Sequence, residues 1–376
     1  RDNTDAASRA DPNPHATSPN ESSASFSCVR APSASNMCMG YPVESSRLRS
    51  VGSTVARPRA GTDYPATWQA FEAWFHDEDA CREYLTKLRW PDGFVCPSCG
   101  GIDAWQTKRK MWMCAACGRQ TSPTAGTIFH RSRHPLKVWF AAIWFVTSSK
   151  NGTSALELQR MLGFGSYETA WAWMHKLRRA MVRPDRDLLG GPGATVELDE
   201  TFVGGRSRGG RVARYETKTE VVIAVERRHP KGLGRVRMRT IDSSDRKLEI
   251  FDFAADTIAP DTVLFTDGAG HYNGLANAAD VTHEAIALSH HPDPAHELLP
   301  AVHRVASLLK RWLAGTLHHG QSTRHLDYYL DEFTFRFNRR TSRSRGLLFY
   351  RLLQQAVNTD PHPLHELIAT ESDHWN

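Results

Sequence analysis

The sequence lacks long apolar segments. No run of hydrophobic residues approaches the roughly 18 residues that a transmembrane helix requires, so we expect no membrane partner. The N-terminus also lacks the basic-then-apolar order of a secretory signal. The chain starts at Arg1 rather than Met, which we interpret as a fragment or an overextended reading frame. We therefore expect a cytoplasmic protein.

Cysteine is scarce: the chain has 7 among 376 residues. Four of them form two CxxC pairs, Cys96 with Cys99 and Cys114 with Cys117. Each CxxC turn can direct two thiolates at one ion, and two turns complete a tetrahedral zinc site. The alternative, a redox dithiol, would need a single CxxC in a βαβ context. We predict a structural zinc ribbon in a reducing compartment.

Acidic residues are missing between Ala104 and Leu156, a stretch that includes the second CxxC pair. A run of one charge sign usually marks only a solvated surface. Here the run belongs to a predicted zinc ribbon, is interleaved with Trp105 and Trp112, and lies in a chain of net charge +6. We therefore predict contact with a nucleic-acid backbone. The basic residues in the run are Lys108, Arg109, Lys110, Arg119, Arg131, Arg133, Lys137 and Lys150.

Hydrophobic periodicity is absent from the first 60 or so residues, which we expect to be disordered because they cannot bury enough apolar surface. Helical spacing begins at Trp68 and predicts a helical lead-in to Leu88. Three more helices are predicted, over Pro135–Ser149, Thr153–Leu162 and Ser166–Met181. The last two have helix-turn-helix proportions. The final helix ends in basic residues that could contact phosphates or simply complement the helix dipole: Lys176, Arg178, Arg179 and Arg183.

Two aspartates occur on predicted strands. Val196 and Leu198 alternate with polar residues, which places Asp199 inside a strand, and the apolar segment from Thr262 ends on Asp267. Each aspartate could merely cap a strand or begin a turn. Two carboxylates on one sheet can instead converge on divalent metal, and two metals can clamp an in-line phosphoryl displacement.

The order of elements around these aspartates is typical of an RNase H-like domain. Strands are predicted at Glu220–Glu226 and Gly234–Ile241, followed by a helix at Asp245–Ala255, the Asp267 strand and a short strand at Val281–Ile286. A helix from Pro300 then carries His303 and Lys310. These two residues are two helical turns apart and share one face.

Several motifs resemble bacterial insertion-sequence transposases of the ISXO-like type. They occur in the same order as in that family and cover roughly Ala70 to Leu348. The resemblance implies a DDE-type domain that binds the terminal inverted repeats of the element, cuts DNA and joins it to target DNA with Mg²⁺. The motifs are Leu198–Gly205, Thr266–Gly268 with Tyr272–Leu275, His303–Trp312, Asp331–Arg340 and the zinc ribbon with Gly126–Phe129.

The resemblance also assigns residues. It implies that Asp199 and Asp267 are metal ligands and that Lys310 contacts DNA phosphate. His303 stands where many relatives have Glu, and an imidazole is a poor ligand for Mg²⁺ but coordinates Mn²⁺. The resemblance therefore implies that His303 either binds the catalytic Mg²⁺ or Mn²⁺, or else orients water or phosphate. Glu297 is the alternative metal ligand. By the two-residue period of a strand, Glu200 faces away from Asp199 and is structural.

We thus predict a multidomain α+β protein with an N-terminal four-cysteine zinc ribbon, a helix-turn-helix-like unit and an RNase H-like α/β catalytic domain. The predicted segments are a disordered N-terminal tail (1–62), a helical lead-in (63–92), the zinc ribbon (93–130), a helical DNA-binding unit (131–185), the DDE-type transposase domain (193–345) and a C-terminal tail (346–376).

The predicted activity is a metal-dependent polynucleotidyl transfer without a covalent enzyme intermediate. Preparation of two element ends suggests a homo-oligomer on DNA, associated with the bacterial nucleoid. A different class stays open: a catalytically inactive zinc-ribbon DNA-binding protein derived from a transposase, which His303 favours and the intact Asp199, Asp267 and Lys310 oppose. An RNase H-like nuclease of RNA hybrids would not explain the two DNA-binding segments.

Overall fold

The computed structural model describes residues 57–183, 186–204, 218–286, 295–317 and 323–368. These residues belong to a compact unit spanning Arg57–Asn376. The predicted N-terminal tail lies almost entirely outside them. Within the described ranges no helix combines the length and the apolar character that crossing a membrane requires.

The helices of the described residues are α1 (Trp68–Trp74), α2 (Glu78–Arg89), α3 (Leu136–Ser148), α4 (Ala155–Leu162), α5 (Tyr167–Ala180), α6 (Arg246–Thr257), α7 (Leu275–Ala279), α8 (Ala295–Leu298), α9 (Pro300–Leu317), α10 (Leu326–Asn338), α11 (Arg345–Ala356) and α12 (Leu364–Ile368). The strands are β1 (Ala104–Gln106), β2 (Trp112–Cys114), β3 (Gln120–Thr121), β4 (Leu189–Gly190), β5 (Thr195–Val203), β6 (Thr219–Arg227), β7 (Leu233–Ile241), β8 (Ile258–Ala259), β9 (Val263–Thr266) and β10 (Thr282–Ala285).

The zinc-ribbon segment forms a small antiparallel sheet in the order β1-β2-β3. Each CxxC pair is followed by a glycine in the left-handed region, Gly100 with φ 74° and Gly118 with φ 69°. Their amides donate to the carbonyls of Cys96 and Cys114, each at 2.9 Å. Glycine adopts this backbone without a Cβ penalty, so each knuckle can turn tightly enough to aim both thiols inward.

The helical region buries one aromatic-rich core. The indole rings of Trp139 on α3 and Trp173 on α5 stack with centroids 3.4 Å apart, and Phe349 of α11 packs into the same cluster. Helix starts are fixed by side chains that accept a hydrogen bond from the first turn. These caps are Thr67, Asp77, Ser154, Ser166 and Ser344.

The segment predicted as a C-terminal tail from 346 is instead mostly ordered. Helix α11 begins at Arg345 and packs against α3, and Phe349, Leu352 and Leu353 are fully buried. Burial of one apolar face at helical spacing explains why this segment belongs to the core. Residues 369–376 lie outside the described part of the chain.

Helix α5 has the predicted position, but most of it is not a free DNA-reading surface. From Ala170 onward its side chains are largely buried, and Arg178 is 2% exposed. Of the two roles considered for the basic end of this helix, phosphate contact is therefore wrong for Arg178. Its guanidinium forms an ion pair with a buried carboxylate on a helix that is distant in sequence.

That carboxylate is Glu332 of α10, which is held between two arginines. The Nε atoms of Arg178 and Arg336 each donate to a different Glu332 oxygen at 2.8 Å. Arg336 also donates to the Ser149 carbonyl of the α3 C-cap at 3.0 Å. Burial alone would raise the pKa of Glu332, yet Arg336 and Arg178 lower it below its ordinary value. The network therefore stabilises the fold above the unfolded carboxyl pKa and is lost as pH falls through the lowered one.

The five-stranded sheet has the order β10-β9-β5-β6-β7. Strands β5, β6 and β7 are antiparallel, while β9 and β10 run parallel to β5. Helix α6 covers one face and helices α9 and α10 cover the other. This is the RNase H-like arrangement that the element order predicts.

Helix α10 also covers the outer edge of β7. The amide of Asn338 accepts from the backbone N–H of Val236 at 2.8 Å and donates to the Val236 carbonyl at 3.1 Å. Asp327 accepts from the Thr240 N–H at 3.0 Å. Side chains of α10 therefore supply hydrogen bonds that a further strand would otherwise make.

Glu332→Gln should destabilise the protein by about 3–5 kcal/mol, because it leaves the buried Arg178 and the partly buried Arg336 without a compensating charge. The free energy of unfolding would be measured by urea denaturation. The matched control is Asp79→Asn, which breaks the exposed pair with Arg82 and should cost about 1 kcal/mol or less. Equal costs for the two changes would contradict this account.

Candidate metal centres and nucleic-acid interface

The four cysteines converge on one point. The Sγ atoms of Cys96 and Cys117 are 3.7 Å apart, and those of Cys99 and Cys114 are 3.6 Å apart. A tetrahedral zinc ion with Zn–S bonds of about 2.3 Å places its sulfur ligands about 3.8 Å apart. The backbone N–H of Ser98 lowers the pKa of Cys96 to about 6, which favours the thiolate that zinc requires. The donor set therefore fits structural zinc.

Exposed basic side chains lie on this ribbon and on the segment that follows it, up to Lys150 just after the end of α3. All eight lysines and arginines of the acid-free stretch are exposed, and Trp105 on β1 is 56% exposed. Trp112, in contrast, stacks on Phe94 inside the ribbon with centroids 5.4 Å apart. Trp105 therefore remains available for a nucleic-acid contact, whereas Trp112 belongs to the ribbon core.

The pairing of β5 with β9 places Asp199 and Asp267 at equivalent positions along the two strands. Strands β5 and β9 are parallel neighbours, with Glu197 opposite Phe265 at the end of their pairing. Asp199 and Asp267 each follow two residues later. Neighbouring strands lie about 4.8 Å apart, so the two aspartates share one end of the strand pair.

The carboxyl of Asp199 is held in a desolvated position. Burial, with smaller contributions from Asp267 and Glu197, raises its pKa to about 6, while an N–H donated by Glu200 at 2.9 Å opposes the shift. An acid poised in this way binds a cation or a proton more readily than an exposed carboxylate does.

Helix α9 contributes His303 and Lys310 to the same place. The Nε2 atom of His303 is 3.7 Å from Oδ2 of Asp199. Lys310 is exposed, and its positive charge lowers the pKa of Asp199. Glu297 lies in α8 at the surface, so the helical position beside Asp199 belongs to His303.

The donor set at this site consists of two carboxylates and an imidazole. Carboxylate oxygens suit Mg²⁺ and Mn²⁺, and an imidazole nitrogen suits Mn²⁺ better. In the described part of the chain, the four cysteines form the one group of three or more possible ligands whose donor atoms all lie within 4.8 Å of one another. The donors of Asp199, Asp267 and His303 are thus adjacent but spaced more widely than those of the zinc site.

Glu197 positions α9, a role that the strand pattern around Asp199 does not assign to it. This residue is fully buried, and its Oε2 accepts hydrogen bonds from the N–H groups of Ala301 and Val302 at 2.7 and 2.9 Å. It therefore caps the first turn of the helix that carries His303 and Lys310. Its place two residues before Asp199, on the same strand face, is the signal that could have revealed it.

Glu200 faces the opposite side of β5, as the strand period predicts. Its Oε1 accepts a hydrogen bond from the Tyr272 hydroxyl at 2.8 Å and lies 3.5 Å from Nε2 of His271. Burial raises the pKa of Glu200 to about 8. Glu200 thereby ties β5 to the segment that follows Asp267.

The fold and the two centres define a zinc-ribbon protein with an RNase H-like DDE-type domain. Residues 188–338 match the ISXO2-like transposase domain, and residues 76–120 match the transposase zinc-ribbon domain. Together these matches cover slightly more than half of the chain. The chain therefore contains the two domains that these family models describe, the ISXO2-like transposase domain and the transposase zinc ribbon.

Individual relatives were also found. The chain is 28% identical over 290 residues to an uncharacterized protein in transposable element ISH50 of Halobacterium salinarum. The matched region covers 70% of this chain and 91% of the relative. Among solved structures, it is similar to a chain in the simian T-cell lymphotropic virus intasome in complex with PP2A regulatory subunit B56 gamma. That match has 13% identity and a TM-score of 0.27, and covers 56% of this chain and 76% of the other.

Cys114→Ala should abolish zinc binding, because a structural site needs all four ligands. Zinc per chain would be measured by mass spectrometry of the purified protein, with about one ion expected in the unaltered chain. Cys81→Ala is the control, since Cys81 is buried in the helical core and remote from the cluster. Loss of zinc from both variants alike, or its absence from the unaltered chain, would contradict the assignment.

Glu197→Ala should lower stability by about 1–3 kcal/mol, because two buried N–H groups lose their acceptor. Glu197→Gln retains an acceptor oxygen and should cost less. Both values would be obtained from denaturant unfolding. Equal losses in the two variants would show that the cap does not depend on the acceptor.

Proposed function

We propose that this chain is a DDE-type transposase that binds the ends of an insertion sequence and catalyses metal-dependent DNA cleavage and strand transfer into target DNA. The observation that carries the proposal is the β5–β9 register, which aligns Asp199 and Asp267. His303 approaches Asp199 from α9, and Lys310 lies two turns further along that helix.

Asp199 and Asp267 would hold Mg²⁺ or Mn²⁺, with His303 as the third donor. A bound ion would supply Lewis-acid chemistry at this place, activating water for cleavage and the freed 3′-hydroxyl for joining to target phosphate. Lys310 would bind a phosphate oxygen near the cut. Glu197 keeps both helix residues in place by capping α9. The reaction needs no nucleophilic side chain.

Element ends and target DNA would bind along the zinc ribbon. The exposed lysines and arginines there supply the charge for phosphate contacts, and Trp105 offers a ring for stacking. An insertion sequence has two ends to prepare, which supports a homo-oligomer on DNA. The bacterial nucleoid is the corresponding location.

Strand transfer of a labelled element-end oligonucleotide into plasmid DNA tests the activity. Joined product is expected with the unaltered protein and should fall at least a hundredfold in Asp267→Asn, because the variant loses a metal-binding charge. Asp252→Asn, an exposed change on α6, is the matched control and should join normally. Each protein would be assayed in Mg²⁺ and in Mn²⁺.

The metal comparison addresses His303. Higher activity in Mn²⁺, reversed by His303→Glu, would support His303 as a ligand. DNA binding without joining in either metal would contradict the proposed catalysis. It would favour the alternative of an inactive DNA-binding relative.

A further inference from the structure

A second charged cavity lies away from the aspartates, between the end of α5, strand β7 and helix α10. It has a volume of about 200 Å³. Strand β7 forms the edge of the sheet, two strands from β5, or roughly 10 Å at the usual strand spacing. Five arginines line this arginine pocket: Arg183, Arg186, Arg235, Arg237 and Arg339.

Only one of these arginines is clearly neutralised. The Nε atom of Arg235 lies 3.0 Å from both oxygens of Glu226. In the part of the chain that the structure describes, the other four guanidiniums form no ion pair within 4.0 Å. Positive charge thus remains in excess around the cavity.

Arg237 is the most deeply placed of the four. It is 6% exposed, and its guanidinium donates only to the carbonyls of Val236 and Asp187, at 3.1 and 3.0 Å. Burial and the neighbouring Arg186 and Arg235 lower its pKa to about 10, so it stays charged at neutral pH. Glu226 raises the pKa of Arg237 but does not cancel this fall, and a buried cation that is only partly compensated is costly.

The acids at the cavity offset only part of this charge: Asp331 opposes the fall that burial causes in the pKa of Arg186. The side chain of Asp187 is 83% exposed and lies 3.8 Å from Arg235. Burial raises the pKa of Asp331 to about 7, so its carboxyl is only partly ionised near neutral pH. An anion from outside the protein would complete the balance.

The geometry points to a phosphate-binding site, and we propose that the arginine pocket binds a phosphate group. Guanidinium groups match phosphate oxygens in pairs and keep their charge when desolvated. At about 30 Å³ per water, the cavity holds the equivalent of roughly seven waters, enough for one phosphate group. The phosphate could be a free anion, a nucleotide or part of a DNA backbone. The site does not depend on the proposed transposase activity.

Calorimetric titration of the full-length, zinc-loaded chain with inorganic phosphate at constant ionic strength tests the site. Arg186→Gln should weaken binding about tenfold, because a charged donor is lost. Arg183→Gln is a second variant at an exposed position, where folding is not at risk. Arg160→Gln makes the same charge change on α4, outside the pocket, and should leave affinity within about twofold, as expected for an exposed charge.

Two further titrations identify the source of the phosphate. One uses deoxyadenosine monophosphate, and the other a single-stranded oligonucleotide without terminal phosphates. A tenfold loss in Arg186→Gln for phosphate or the nucleotide supports a small-anion site. A loss confined to the oligonucleotide supports a backbone phosphate. If Arg186→Gln and Arg183→Gln match Arg160→Gln for all three probes, the proposal is overturned.

Discussion

Glu197 connects the central strand of the sheet to the helix that faces it. Its buried carboxylate accepts two N–H groups at the start of α9, and Asp199 follows two residues later on the same strand face. Strand and helix therefore cannot shift independently without exposing unsatisfied polar groups in the core. The relative positions of Asp199, His303 and Lys310 depend on this contact, since the first comes from the strand and the others from the helix.

A second buried carboxylate, that of Glu332, joins the helical region to the sheet domain. Glu332 receives Arg178 from α5 and Arg336 from its own helix, and Arg336 reaches on to the C-cap of α3. Burial of such a network costs free energy of folding, and removal of one partner from it costs more. The network converts the end of α5, which has the length and charge of a DNA-reading helix, into part of the protein interior. Arg178 is thereby removed from any surface that a nucleic acid could reach.

Much of the architecture could be predicted from local patterns. The two-residue period located β5 and the opposite faces of Asp199 and Glu200, and the paired CxxC spacing located the zinc centre. Long-range pairing could not be predicted in the same way: Arg178 meets a carboxylate 154 positions away, and a basic residue near a helix end resembles a phosphate contact until its partner is known. Helix α11 is different. The spacing of Leu348, Phe349, Leu352 and Leu353 is a local pattern that indicates a helix with one apolar face.

The contacts of α10 along β7 affect how copies of this protein can meet. An unprotected edge strand offers a row of backbone donors and acceptors to any neighbouring chain. Asn338 and Asp327 occupy several of those groups from the side, so another strand could pair there only after displacing a packed helix. Assembly of two copies by extension of the sheet at this edge is therefore disfavoured.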